Sequence, residues 1–181
     1  FESTYGQEIA RVFSDKFGLD QWIDADGDVV EAGLAMLAES EIDMTIFFRS
    51  LSGVLLSETG NSVDALADAF YLEGEWHLAR EKWAAWLLRY VQLAAAQSSS
   101  PEEQSARVAR MKAANPKYVL RNYLAQQAID AAHEGDVSVI GELLDVMRRP
   151  YDDQPGREAF AQKRPDWART KAGCSMLSCS S

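Results

Sequence analysis

Apolar positions along this chain recur every three or four residues, and no stretch alternates apolar and polar side chains with the period of two that a half-buried strand requires. The expectation is an all-α fold. Tyr5, Ile9, Val12, Phe13 and Phe17 form one stripe that stops at Gly18, a residue suited to the left-handed conformation that ends helices. Asp28 is placed to cap a helix carrying Val29, Leu34 and Leu37. Asp43 is placed to cap another with Phe47, Phe48, Leu51 and Leu55, before Gly60 and Asn61 break the chain. A short helix near 62–72 leads past Gly74 into a long one, on which Trp76, Ala79, Trp83, Trp86, Leu87, Tyr90, Val91 and Ala94 share a wide apolar face. Three tryptophans at this spacing read as core packing rather than as a ligand cage.

The clearest punctuation is "QSSSPEEQ". Its serines read as a linker, and Ser100-Pro101-Glu102-Glu103 supplies an N-cap, a first-turn proline and a capping-box glutamate. The helix that begins there should end near Asn115-Pro116. Val119, Leu120, Tyr123, Leu124, Gln127 and Ile129 then surround a helix closed by Gly135. Ser138 is placed to cap a last helix with Ile140, Leu143, Leu144 and Met147, ending at Arg148-Arg149-Pro150. Prolines 155 and 165 with Gly156 predict beyond it a mostly extended strap over the helices. Three segments result: helical 1–97, helical 98–149 after the serine linker, and a tail over 150–181.

Charge narrows the function classes. The net charge is −10, with 16 acids and 3 bases in residues 1–75 against 12 acids and 15 bases in 76–181. No general positive field is available for a phosphate backbone, so nucleic acid is not an expected partner. No apolar run approaches the length of a membrane span, so a membrane partner is not expected either. Two cysteines are too few for a disulfide framework, which points to a reducing, cytoplasmic setting. The chain opens at Phe1 already inside a helical pattern, so it is expected to be a piece of something longer.

Candidate chemistry is sparse. Asp24, Asp26 and Asp28 alternate around Gly27 as calcium ligands might be spaced, but with Gly27 at the EF-hand turn the first ligand falls on Trp22 and the closing carboxylate on Gly33. An acidic helix-capping loop is the better reading. His77 and His133 are too far apart, and too far from cysteine, for a zinc spacing; His133 suits a last helical turn. The arginines between 107 and 121 and the pair Arg148-Arg149 are candidates for phosphate or an acidic partner, weighed against ordinary solvated helix faces. No phosphate loop, nucleophile elbow or kinase catalytic segment is present. No metal, cofactor or catalytic residue is therefore assigned within the chain. The thiols Cys174 and Cys179 both lie in the last eight positions, where a chain usually frays into solvent and a thiolate is open to exchange.

The stretches "NPKYVLRNYLAQQAIDAAHEGD", "RRPYDDQP", "RPDWA" and the terminal "SCSS" resemble the C-terminal part of the selenoprotein O family. "YGQEIARVFSDKFGL" and "WAAWLLRY" extend that resemblance over the whole chain. It implies a kinase-like fold in the parent protein, which binds ATP with Mg2+ in a flipped orientation and transfers AMP to hydroxyl side chains of proteins. The nucleotide-clamping lysine, its glutamate partner and the metal-binding asparagine and aspartate of the family map to no residue here. On this resemblance, residues 1–97 are the helical end of the kinase-like C-terminal lobe and 98–149 the family's helical extension. The missing kinase-like region and protein substrates are the implied partners, and the chain alone is expected to be inactive. Bacterial members are cytoplasmic by the same reading, eukaryotic ones mitochondrial. Cys179 matches the position that is selenocysteine in some animal members. In some bacterial members that thiol pairs with a cysteine in the activation segment, making activity redox-dependent, and Cys174 is the competing local partner. The alternative is a non-catalytic helical module for protein interaction.

Overall fold

Helices form where the apolar spacing places them, and their ends show which local signals governed. The computed structural model describes residues 2–20, 24–56, 63–171 and 173–174, with residues 2–5 and 24–27 as backbone only. Among these residues the order is α1 (Glu2–Phe17), α2 (Asp24–Leu37), α3 (Met44–Ser52), a 3-10 helix (Val63–Ala69), α4 (Glu73–Gln97), α5 (Pro101–Ala114), α6 (Asn122–His133) and α7 (Ser138–Met147). Two 3-10 turns, Glu158–Ala161 and Asp166–Arg169, follow. No strand is present among the described residues; Ile42 and Phe70 form an isolated antiparallel bridge. The fold is all-α. Its chain divides into two units, Phe1–Asn115 and Pro116–Ser181.

That division falls after the first helix beyond the serine run. Ser98 is buried, and Ser100 begins α5 inside the first unit. The capping box itself is as expected: the Ser100 hydroxyl accepts from Glu103 N–H while the Glu103 carboxylate accepts from Ser100 N–H. The bond from Ser100 N–H, joined by those from the Ser99 hydroxyl and N–H, holds the Glu103 carboxyl below its ordinary pKa. Asp43 caps α3 as its position predicts, accepting from Ile46 N–H at 3.0 Å and from the Tyr71 hydroxyl at 3.1 Å.

Two other expected caps differ. Asp28 lies within α2, where its carboxylate pairs with Arg89 of α4 at 2.7 Å, because α2 starts four residues earlier. Ser138 is the first residue of α7, and the Asp136 carboxylate accepts both its N–H at 2.9 Å and its hydroxyl at 2.6 Å, so the hydroxyl is turned to Asp136 rather than to the helix end. Tyr5's side chain, Gly60 and Asn61 lie outside the described residues.

The first unit is organised around aromatic rings from three helices. Phe17, Phe47, Phe48, Trp83, Trp86 and Tyr90 are each at most 3% exposed. Trp86 stacks on Tyr90 with centroids 5.3 Å apart and planes 8° apart, while Phe47 meets Trp83 at 5.1 Å and Phe17 meets Phe48 edge-on at 5.1 Å. Burying one phenylalanine-sized side chain contributes roughly 1.5–3 kcal/mol, so this cluster outweighs any surface ion pair here. Trp86 also donates to the Val29 carbonyl of α2 at 2.8 Å. The close approach needs Gly33, where an added Cβ would lie 2.8 Å from the Trp86 ring.

The end of α1 is where the first unit is tied together. A helix leaves its last four carbonyls without helical donors. Here Leu19 N–H donates to the Ser14 carbonyl at 2.8 Å and Gly18 N–H to that of Asp15 at 3.3 Å, the paired bonds of a Schellman end with Gly18 at φ +67. The Asn115 amide donates to the Lys16 carbonyl at 2.9 Å, and the Tyr90 hydroxyl to that of Phe17 at 2.7 Å. Tyr90 in turn accepts from Arg107 of α5 at 2.5 Å. Arg107 is 1% exposed, its guanidinium lies 5.6 Å from the Tyr90 ring centroid, and no carboxylate among the described residues pairs with it.

The second unit is smaller. Tyr123, Leu124, Ala128, Leu143, Ala168 and Cys174 form its core. Several of its apolar residues are open to solvent, with Leu120, Ile129, Ile140 and Leu144 between 47% and 61% exposed.

Tyr90→Phe keeps the ring stack but strips a donor from the Phe17 carbonyl and an acceptor from Arg107. The expected cost in urea unfolding is about 2–4 kcal/mol, against no more than about 0.5 kcal/mol for Leu88→Gln on the exposed side of α4. Burial pushes the Tyr90 hydroxyl's pKa up, opposed by the charge and hydrogen bond of Arg107. A raised folded pKa gives stability that is complete below the unfolded value, near 10, and is lost as pH rises beyond it. The gap between wild type and Tyr90→Phe should therefore narrow above about pH 10.

Candidate functional site

The side chains that the sequence singles out for chemistry are mostly engaged in holding the fold. Arg107 is buried under α1 as described. Arg110, also on α5, binds Asp20 at 2.7 Å and lies 3.8 Å from Asp15, beside an open cavity of about 360 Å³ that Arg11, Ser14 and Leu19 also line. Arg148 pairs with Asp145 one helical turn back at 3.0 Å. Arg149 is exposed, and its carbonyl accepts from Gln154 at 2.8 Å. Arg107 and Arg110 are thus engaged within the first unit, and Arg148 within the second.

The histidines lie on α4 and α6. His77 Nε2 is 3.5 Å from a Glu73 oxygen on the exposed start of α4, and His133 occupies the last turn of α6 as its position predicts. Among the described residues no group of three or more His, Cys, Asp or Glu is arranged to hold a metal ion. Trp76, Trp83 and Trp86 are core residues.

The thiols are the remaining candidates. Cys179 lies outside the described residues. Cys174 is 6% exposed, which corrects the expectation that both thiols hang in solvent. Its position follows from polar side chains at four-residue steps on one side of α6. Asn122 donates to the Cys174 carbonyl at 3.4 Å, and Gln126 donates to Asp130 at 2.7 Å. The Lys171 ammonium binds Asp130 directly, and these bonds, Lys171's first and Gln126's second, hold the Asp130 carboxyl below its usual range. Gly173 at φ +87 lets the backbone pass against Gln126, where a side chain would collide. Upstream, Tyr123 donates to the Gln162 carbonyl at 2.9 Å, and the nearly buried Gln154 donates to the Val146 carbonyl at 3.1 Å.

The expected strap is thus a docked segment, pinned by side-chain to backbone bonds. The sequence carried a signal for this in the spacing of Asn122, Gln126 and Asp130. The pattern was missed because polar residues on an amphipathic helix normally face water.

No described helix is long and apolar enough to cross a membrane. The model of the protein adenylyltransferase SelO family matches residues 1–148. Over all 181 residues the chain is 48% identical to the protein nucleotidyltransferase YdiU of Aromatoleum aromaticum, covering 34% of that protein. It is 51% identical, over the same length and with the same coverage, to the YdiU protein of Xanthomonas euvesicatoria pv. vesicatoria. The chain spans about a third of the length of these curated bacterial relatives. With a match that extends from α1 to the end of α7, the chain belongs to the protein adenylyltransferase SelO family.

Proposed function

We propose that this chain is the C-terminal helical region of a longer, kinase-like protein that transfers AMP from ATP to hydroxyl side chains of other proteins. The observation that carries the proposal is an end-to-end match to nucleotidyltransferases of which the chain covers 34%. Among the described residues no set of side chains is placed to hold a magnesium nucleotide. Arg107 and Arg110, the inward-facing cations of α5, are committed to Tyr90 and Asp20, and the described acids form no metal cluster. ATP and magnesium are accordingly assigned to the parent's kinase-like region, with this chain as its packing partner. A cytoplasmic location and protein substrates go with the same reading.

The second part of the proposal is redox control through Cys179, paired with a thiol of the parent's activation segment. The burial of Cys174 supports that pairing over a local one, since a thiol closed off from solvent is poorly open to exchange with Cys179. A non-catalytic interaction module is the second reading, favoured by apolar side chains open to solvent, Leu78 at 89% and Val137 at 67%.

Radiolabelled ATP separates the two. The parent protein should label acceptor proteins with AMP in the presence of magnesium, and no label from an intact parent would leave the interaction module. Residues 1–181 alone should give neither label nor heat on titration with Mg-ATP; micromolar binding to the fragment would overturn the assignment of nucleotide to the missing region. For the thiols, Cys174 should react with a disulfide reagent at least about tenfold more slowly than free cysteine in the native chain, and at the free rate in denaturant. In the parent, Cys179→Ser should abolish the dependence of AMP transfer on reductant while Cys174→Ser preserves it. Non-reduced peptides in which both thiols stay free after oxidation would remove the redox role.

A further inference from the structure

The second unit covers only one side of α7. Leu143 and Val146 are buried, and Val139 and Met147 pack against the unit's core. On the other side Val137, Ile140 and Leu144 are 67%, 47% and 51% exposed. Spaced three and four residues apart, they make one line of side chains along the helix.

Gly141 sits in that line. A glycine inside a helix weakens it relative to alanine, and the usual structural return is close approach by another group. Gly33 shows that return within the first unit, where a Cβ would run into Trp86. At Gly141 nothing among the described residues lies within 4 Å of an added Cβ. The second unit's own packing therefore accounts for neither the glycine nor the open apolar side chains around it.

We infer that Val137, Ile140, Gly141 and Leu144 form a docking face for a segment of the parent protein outside residues 1–181, whose backbone comes close at Gly141. The inference rests on the reading of this chain as part of a longer protein. Two facts favour an occupant in the same chain. The relatives are about three times as long as this chain, which covers 34% of them, so ample sequence remains to supply a partner. The face is also small. Three side chains and a glycine fall well short of the roughly 800 Å² per partner that a stable dimer needs. A covalently linked segment docks at a high effective concentration and needs far less.

The sign of one substitution tests this. In residues 1–181, Gly141→Ala should raise the melting temperature of the second unit by roughly 2–5 °C, because alanine favours the helix and meets nothing. In the full-length parent the same change should lower the melting temperature, because the methyl group blocks the approach. Ile140→Gln with Leu144→Gln should leave residues 1–181 within about 1 °C of wild type and lower the parent by several degrees. Effects of the same sign in both proteins would overturn the inference. So would sedimentation showing residues 1–181 as a dimer that the double variant dissociates, since the occupant would then be a second copy. AMP transfer is not read in this experiment, so an inactive parent would sink the proposed function and leave the docking face standing.

Discussion

Four carbonyls at the end of α1 must find donors, and the first unit is built around how they do. The backbone of Gly18 and Leu19 supplies two, and the other two come from residues far away in sequence, Asn115 and Tyr90. Tyr90 can serve only if α4 lies against α1, and Asn115 only if α5 ends beside it. Arg107 adds a buried positive charge one hydroxyl away from the negative end of the α1 dipole. Arg49 of α3 then donates to the carbonyls of Lys112 and Asn115 at 3.2 Å, so the end of α5 is closed by the same logic. Removing any of these donors leaves a buried acceptor unsatisfied, which costs more than the bond itself contributes.

Local signals were legible in the sequence and long-range ones were not. The capping box at Ser100 and the cap at Asp43 depend on residues within four positions, and both stand where the pattern places them. Gly18 ends α1 for the same reason. The spacing of Trp83, Trp86 and Tyr90 sufficed to mark them as core, because large rings at three- and four-residue steps must share a face. Arg107 was read with the surface arginines, because nothing within a helical turn distinguishes a buried guanidinium from a solvated one. Its environment is supplied by Tyr90, seventeen positions away. The serine run reads as a linker by composition, and the division falls after the next helix, at Asn115-Pro116, where the buried asparagine closes one unit.

The candidate site was legible mainly by resemblance. Composition and spacing offered no nucleotide or metal motif in this chain and had no means of naming the family. Cys174 shows the limit most clearly. Nearness to the chain end suggested exposure, whereas burial is decided by Asn122, Gln126 and Asp130, some fifty to forty residues earlier on α6. The two units also divide the charge unevenly: residues 1–115 carry the entire net −10, while 116–181 hold nine acids and nine bases.

The placement of the indole rings gives the two units different optical signatures. Trp76, Trp83 and Trp86 are at most 6% exposed in the first unit, with Trp86 stacked on Tyr90 and bonded to the Val29 carbonyl, whereas Trp167 of the second is 43% exposed. Emission from the buried rings shifts to the red when water reaches them, and a half-wet ring has little shift left to give. Intrinsic fluorescence therefore reports chiefly on the melting of α1 to α5. A transition confined to α6, α7 and the strap would pass almost unseen by that probe while remaining visible in the far-ultraviolet signal of its helices.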